Sequence, residues 1–91
     1  MSTMFEPPHP GALLDDYLDD ASLAEAARRI GVTRAILSRI RNGHAATSAD
    51  LAVRLGELLG TSAELWMGMQ SAYDLWSART QPRPKVLPLA S

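Results

Sequence analysis

A chain of 91 residues can build one small hydrophobic core and is too short for two. It has no cysteine, which excludes disulfides and thiolate metal sites and favours a reducing compartment, the cytoplasm. The net charge of −1 argues against a general nucleic-acid binder, no apolar run approaches the ~18 residues of a membrane span, and no secretion signal precedes the first helix.

The charge is distributed unevenly along the chain. Residues 1–21 carry −5, residues 22–47 carry +4, residues 48–78 carry −3 and residues 79–91 carry +3. The second of these segments contains one acid, Glu25, and these five basic residues: Arg28, Arg29, Arg34, Arg39 and Arg41. The pattern favours one basic surface on an otherwise acidic protein, although a run of charge is by itself more often a solvated helix face.

The prolines lie only near the two ends, so that residues 11–80 can form helices without interruption. Strand patterns are rare and aromatic residues make up only 5% of the chain. We therefore predict an all-α fold, a compact domain of five helices at residues 10–79. An extended segment at residues 1–9 precedes it, and a proline-rich extended tail at residues 80–91 follows.

The first two helices are predicted from apolar spacing and from capping residues. Helix 1 is expected from Pro10 to about Asp19, because Pro10 suits a first helical turn and apolar residues recur at helical spacing. Helix 2 is expected to begin with a capping box, in which Ser22 and Glu25 each bind the other's backbone N–H. It ends at Gly31, since glycine enters the left-handed conformation at little cost.

Three further helices follow the same rules. Thr33 caps helix 3, which turns Ile36, Leu37 and Ile40 inward and ends at Asn42–Gly43. Helix 4 runs from a Ser48 cap to Leu59. Helix 5 runs from a Ser62 cap to about Ala78.

The spacing between helices 2 and 3 is typical of a helix-turn-helix. Ala27 is small enough for helix 3 to cross closely, Gly31 supplies the turn, and Val32, Leu37 and Ile40 anchor the second helix on the first. Such a geometry presents the start of helix 3 to the major groove of DNA. DNA binding would also explain the arginine cluster, because a surface that contacts phosphates must be basic.

The predicted DNA-binding residues fall into two groups. Arg34 and Arg39 are the candidates for reading guanine, beside Ala35, while Thr33, Ser38 and Asn42 can contact bases or phosphates. Phosphate contacts are predicted for Arg28, Arg41 and His44, and for the backbone at the start of helix 2 near Ser22.

Three stretches of sequence resemble the HigA-type antitoxins, a branch of the Xre/Cro-like regulators also called VapI-like. They are HPGALL at 9–14, ILSRIRNG at 36–43 and TSADLAVRLGELLGTSAELWMGMQSAYDLWSAR at 47–79. The resemblance implies a lambda-repressor-like fold and a homodimer that represses its own toxin–antitoxin operon at a palindromic operator. It also implies neutralisation of a RelE-like, mRNA-cleaving toxin, HigB. One departure is Leu23, which stands where many Xre-like proteins have a phosphate-binding glutamine.

The aromatic stripe on helix 5 predicts core or dimer interface, and the interface candidates are Trp66, Met67, Tyr73 and Trp76. The sequence shows no catalytic signature and no metal-ligand spacing, so we expect no enzyme, no cofactor and no metal site. Two alternatives to an antitoxin stay open: a stand-alone Xre-family repressor without a toxin, and a scaffold that binds only protein. The tail at residues 86–90 is either a docking strand or frayed.

Overall fold

A computed structural model describes residues 6–90, and this part of the chain forms five α-helices and no strand. The helices are α1 (Pro10–Tyr17), α2 (Asp20–Ile30), α3 (Arg34–Arg41), α4 (Ala49–Leu59) and α5 (Ala63–Thr80). The predicted all-α, five-helix fold is confirmed. Within the described residues, no helix is long and apolar enough to cross a membrane.

Three of the predicted N-terminal caps form as expected. The side-chain oxygens of Thr33, Ser48 and Ser62 each accept a hydrogen bond from the backbone N–H three residues further on, at 3.1–3.2 Å. These bonds satisfy N–H groups that have no partner within the helix. α3, α4 and α5 therefore begin where the sequence predicts.

The predicted boundary between the first two helices was wrong. α1 ends at Tyr17 and Leu18 is extended, while Asp19 caps α2 by accepting the Ser22 N–H at 2.8 Å. The Ser22 hydroxyl donates to the same carboxylate, so the predicted capping box with Glu25 does not form. An ionised carboxylate is favourable at the positive end of a helix. Asp19 is therefore a better N-cap than the neutral Ser22 at this position.

One hydrophobic core joins all five helices. Its largest fully buried side chains are Trp66, Leu14, Leu23, Leu37, Ile40 and Leu55. Trp66 enters it from α5, and the Trp66 indole N–H donates to the Thr61 hydroxyl at 2.7 Å, so that its polar edge is satisfied. α4 packs mainly against α5, whereas α1 and α2 both pack against α3. The core thus fixes α3 from one side only.

The first turn of α1 lies directly on the last turn of α3. A Cβ atom at Gly11 would stand 2.1 Å from the Ile40 carbonyl oxygen and 2.7 Å from that of Arg41. The turn is held by His9, whose Nδ1 accepts the Gly11 N–H at 2.9 Å. Burial lowers the pKa of His9, which keeps the ring neutral and Nδ1 able to accept.

α5 is tied to the loop between α3 and α4 by a buried side chain. Gln70 is 4% exposed, and its Oε1 accepts the Thr47 backbone N–H at 2.7 Å. Its Nε2 donates to the Asp74 carboxylate at 2.9 Å. The first bond connects the long C-terminal helix to the loop that follows the helix-turn-helix, and the second, within α5, orients the Gln70 amide for it. Beyond α5, residues 81–90 are extended and exposed.

Candidate nucleic-acid interface

The turn between α2 and α3 has the conformation that the sequence predicts. Gly31 adopts φ +77°, and the Val32 N–H donates to the Ala27 carbonyl at 3.0 Å. From α4, the Arg54 guanidinium donates to the Ile30 carbonyl at 2.7 Å and pairs with Asp50. Because these bonds occupy carbonyls at the end of α2, they fix the angle at which α3 leaves the turn.

α3 has one buried face and one exposed face. Leu37 and Ile40 are 0% and 1% exposed, and they attach the helix to the core. The opposite face carries Arg34, Ala35 and Arg39, all exposed, with Ser38 half-buried beside them. Thr33 and Asn42 are exposed at the two ends of the helix. The structure thus brings six of the predicted DNA-binding residues together on one surface, which we call the recognition face.

Arg39 lies at the middle of the recognition face. Its Nη2 donates to the His44 carbonyl at 3.2 Å, which leans the guanidinium along the loop that follows α3. A guanidinium has five N–H donors, so this single bond is compatible with a bidentate contact to guanine. His44 itself is exposed at the same end of the helix.

Arg41 is not on the recognition face, and its phosphate contact stays a prediction. Its side chain is only 12% exposed and pairs with the Asp20 carboxylate, while its Nη1 donates to the Leu18 carbonyl at 3.2 Å. Asp15 lies nearby, 3.8 Å from the Arg41 Nε. The pairing raises the pKa of Arg41 and lowers that of Asp20. Arg41 therefore joins the end of α3 to the connection between α1 and α2.

The phosphate contact predicted near Ser22 also stays a prediction, and an acidic side chain lies at that position. Both polar hydrogens of Ser22, on the backbone nitrogen and on the hydroxyl, are bonded to the Asp19 carboxylate. Those bonds lower the pKa of Asp19, which therefore stays ionised at neutral pH. A negative charge already occupies the end of α2 where a phosphate would have to bind.

Arg28 is exposed and paired on its own helix. Its guanidinium and that of Arg29 both bind the Glu25 carboxylate, and the hydrogen bond from Arg28 is the largest cause that lowers the pKa of Glu25 to about 2. Exposed pairs of this kind contribute little to stability. Replacing the Glu25 carboxylate by a DNA phosphate as the partner of Arg28 would therefore cost little free energy. The phosphate contact of Arg28 stays a prediction.

Ile36 was predicted to point inward, and that prediction was wrong. Its side chain is 46% exposed, although the residue lies only about 40° from the buried Ile40 around the helix. Ile36 is one turn nearer the start of α3, where the packed helices no longer cover that side. Helical spacing alone gives no signal of this.

The predicted interface residues on α5 separate into two kinds. Trp66 is 0% exposed, so its side chain is part of the core and has no surface left for a second copy. Met67, Tyr73 and Trp76 are partly buried. The apolar side chains that α5 leaves exposed are instead Leu65 at 41% and Leu75 at 49%.

No group of three or more acidic, histidine or cysteine side chains in residues 6–90 is arranged to hold a metal ion.

A helix-turn-helix with a basic recognition face defines a class of DNA-binding proteins, and comparison with known proteins agrees. Residues 22–66 match the helix-turn-helix family model. Virulence-associated protein A′ of Dichelobacter nodosus is 41% identical over 86 residues, which cover 91% of this chain and 75% of that protein.

Two solved structures refine the assignment. Antitoxin HigA of Pseudomonas aeruginosa, solved with the higBA promoter, is 40% identical with a TM-score of 0.72 and matches 79% of this chain and 82% of its own. An addiction module antidote protein of the HigA family from Coxiella burnetii is 34% identical with a TM-score of 0.73, over 81% and 84% of the two chains. This chain belongs to the Xre-like helix-turn-helix regulators, in the branch of the HigA antitoxins and VapI-like proteins. These are DNA-binding regulators, not enzymes.

Proposed function

We propose that this protein is a cytoplasmic antitoxin that represses its own operon by placing α3 in the major groove of a palindromic operator. The observation that supports the proposal most strongly is that α3 has one buried apolar face and one exposed basic face. Its inner face is locked by Leu37 and Ile40, and its outer face presents Arg34 and Arg39. A groove-reading helix needs both a rigid base and outward hydrogen-bond donors.

The roles of the remaining surface residues follow from their positions. Arg34 and Arg39 read bases, with Thr33, Ala35 and Ser38 beside them on the recognition face. At the margins, Arg28, Asn42 and His44 contact phosphates and set the position of the helix on the duplex.

Repression in cells tests this function. We expect the double variant Arg34→Ala/Arg39→Ala to release a reporter placed behind the gene's own upstream region by at least about tenfold, since each bidentate arginine–guanine contact contributes about 1–3 kcal/mol. The control is Arg79→Ala/Arg83→Ala, which removes the same charge from exposed positions at the C-terminal end. Equal derepression by both variants would contradict the assigned face, because it would reflect charge alone.

A homodimer places two copies of α3 one DNA turn apart, about 34 Å. We propose that the copies meet through one side of α5, where Leu65, Met69, Ala72 and Trp76 recur at helical spacing. Tyr73 lies beside this stripe and Met67 on the opposite side of the helix, and Leu65 is the most suitable residue of the stripe to probe because it is 41% exposed.

An acidic substitution in that stripe should separate the subunits. We expect Leu65→Glu to shift the mass measured by light scattering from dimer to monomer, because a carboxylate cannot be buried unpaired at low cost. Val53→Glu is the control, since Val53 is 49% exposed on α4. A monomeric wild type, or a dimeric Leu65→Glu, would refute this interface.

The proposed toxin partner is a RelE-like, mRNA-cleaving protein of the HigB type. Support comes from the relatives of known structure that are described as antitoxin or antidote proteins. Co-expression with a toxin-sized open reading frame beside the gene should yield a complex that copurifies and should relieve growth arrest. If no such neighbour exists, the protein is a stand-alone Xre-family repressor.

A further inference from the structure

An apolar side chain borders the recognition face of α3. Ile36 is 46% exposed in the first turn of the helix, directly after the Thr33 cap that binds its backbone N–H at 3.1 Å. Three residues on, Arg39 lies about 60° away around the helix. Around the helix, an arc of exposed and half-buried residues therefore runs from Arg34 through Ser38, Ala35 and Arg39 to Ile36.

The apolar side chain of Ile36 matches one feature of the major groove. Among the base edges there, only thymine presents an apolar group, its C5 methyl, whereas the other groups are hydrogen-bond donors or acceptors. A β-branched side chain in a helix has essentially one χ1 rotamer, so the Cγ2 methyl of Ile36 is held in a fixed position. Ile36 is thus pre-organised for an apolar contact at the depth that the first turn of a recognition helix reaches.

A contact with another protein fits these surroundings less well. The exposed side chains flanking Ile36 on α3 are Thr33, Ala35 and Arg39, and they do not form an apolar patch. Protein interfaces need a buried apolar centre that excludes water. The exposed apolar residues of α5 lie on a different helix, which packs against α4 and α1 rather than on the outer face of α3.

We infer that Ile36 is a specificity-determining residue that recognises a thymine methyl in each operator half-site, beside the guanine contacts of Arg34 and Arg39. This inference rests on the proposed function, because it requires α3 to enter the major groove. It adds a preference for A·T at a position adjacent to the arginine-read bases.

Replacing thymine by deoxyuridine removes the methyl and keeps every hydrogen-bonding group. We expect the wild-type protein to bind the gene's upstream duplex more tightly than the same duplex with all thymines replaced, by about fourfold for each half-site contact, the factor that burying one methyl group gives. Ile36→Ala should reduce this thymine-to-uracil ratio by that factor, and single replacements should locate the contacted position. Ile36→Val, which keeps the β-branch, should retain most of the ratio.

The matched control is Val53→Ala, an equally exposed β-branched residue on α4. It should leave the ratio unchanged, and circular dichroism should show all variants folded. An Ile36→Ala ratio equal to that of the wild type, or a wild-type ratio of one, overturns the inference while leaving operator binding intact. No preference of the wild type for the upstream duplex over a scrambled one overturns the proposed function, and this inference with it.

Discussion

Gly11→Ala is expected to destabilise the protein by about 3 kcal/mol or more, a large part of the stability of so small a domain. The added Cβ would stand 2.1 Å from the Ile40 carbonyl oxygen, which is backbone and has no rotamer to change. α1 and α3 would have to move apart, and the end of the recognition helix would lose its support. Chemical denaturation followed by circular dichroism, at a fixed protein concentration, measures the effect.

Gly68→Ala is the control for this substitution. A Cβ at Gly68 meets nothing within 4 Å, and the residue lies inside α5. Because alanine is favoured over glycine in a helix by about 1 kcal/mol, this variant should be slightly more stable than the wild type. If Gly11→Ala were as stable as Gly68→Ala, then α1 would not lie against the end of α3.

Trp66→Ala is expected to cost about 3–5 kcal/mol, the range found when large aromatic side chains are removed from cores. The side chain is fully buried, and its indole N–H donates to the Thr61 hydroxyl in the α4–α5 connection. Its loss would leave a cavity where α5 meets the other helices. The same denaturation experiment measures this change.

Two further variants separate the causes. Trp66→Phe keeps most of the apolar volume and removes the hydrogen bond to Thr61, so it should remain folded and lose clearly less stability than Trp66→Ala. Trp76→Ala, at a partly buried position on the same helix, should cost less than Trp66→Ala. Equal losses from Trp66→Ala and Trp76→Ala would contradict the assignment of Trp66 to the core.

The parts of the fold that local chemistry determines could be predicted. Thr33, Ser48 and Ser62 cap helices because a hydroxyl placed before an apolar-periodic segment binds backbone N–H groups nearby. Gly31 ends α2 because few other residues adopt its φ of +77°. The helix-turn-helix, and with it the recognition face, followed from such local signals.

The arrangements that the sequence did not predict have a different cause, which is competition between partners and packing by distant segments. Ser22 and Asp19 are both suitable N-cap residues, and only the structure shows that the Asp19 carboxylate caps α2. Arg41 belongs to a basic cluster in sequence, but in the fold it meets Asp20, twenty-one residues earlier. Whether Ile36 is covered depends on where neighbouring helices stop, which its helical position does not encode.

Fluorescence anisotropy tests most directly whether α3 reads the operator. The wild type and Arg39→Ala are each titrated against the gene's own upstream duplex and against a scrambled duplex, at several salt concentrations. We expect the wild type to prefer the upstream duplex and its affinity to fall steeply with salt. We expect Arg39→Ala to lose the preference while keeping most of its weak binding to the scrambled duplex. An Arg39→Ala variant that still prefers the upstream duplex as strongly as the wild type would contradict the claim that α3 reads the operator.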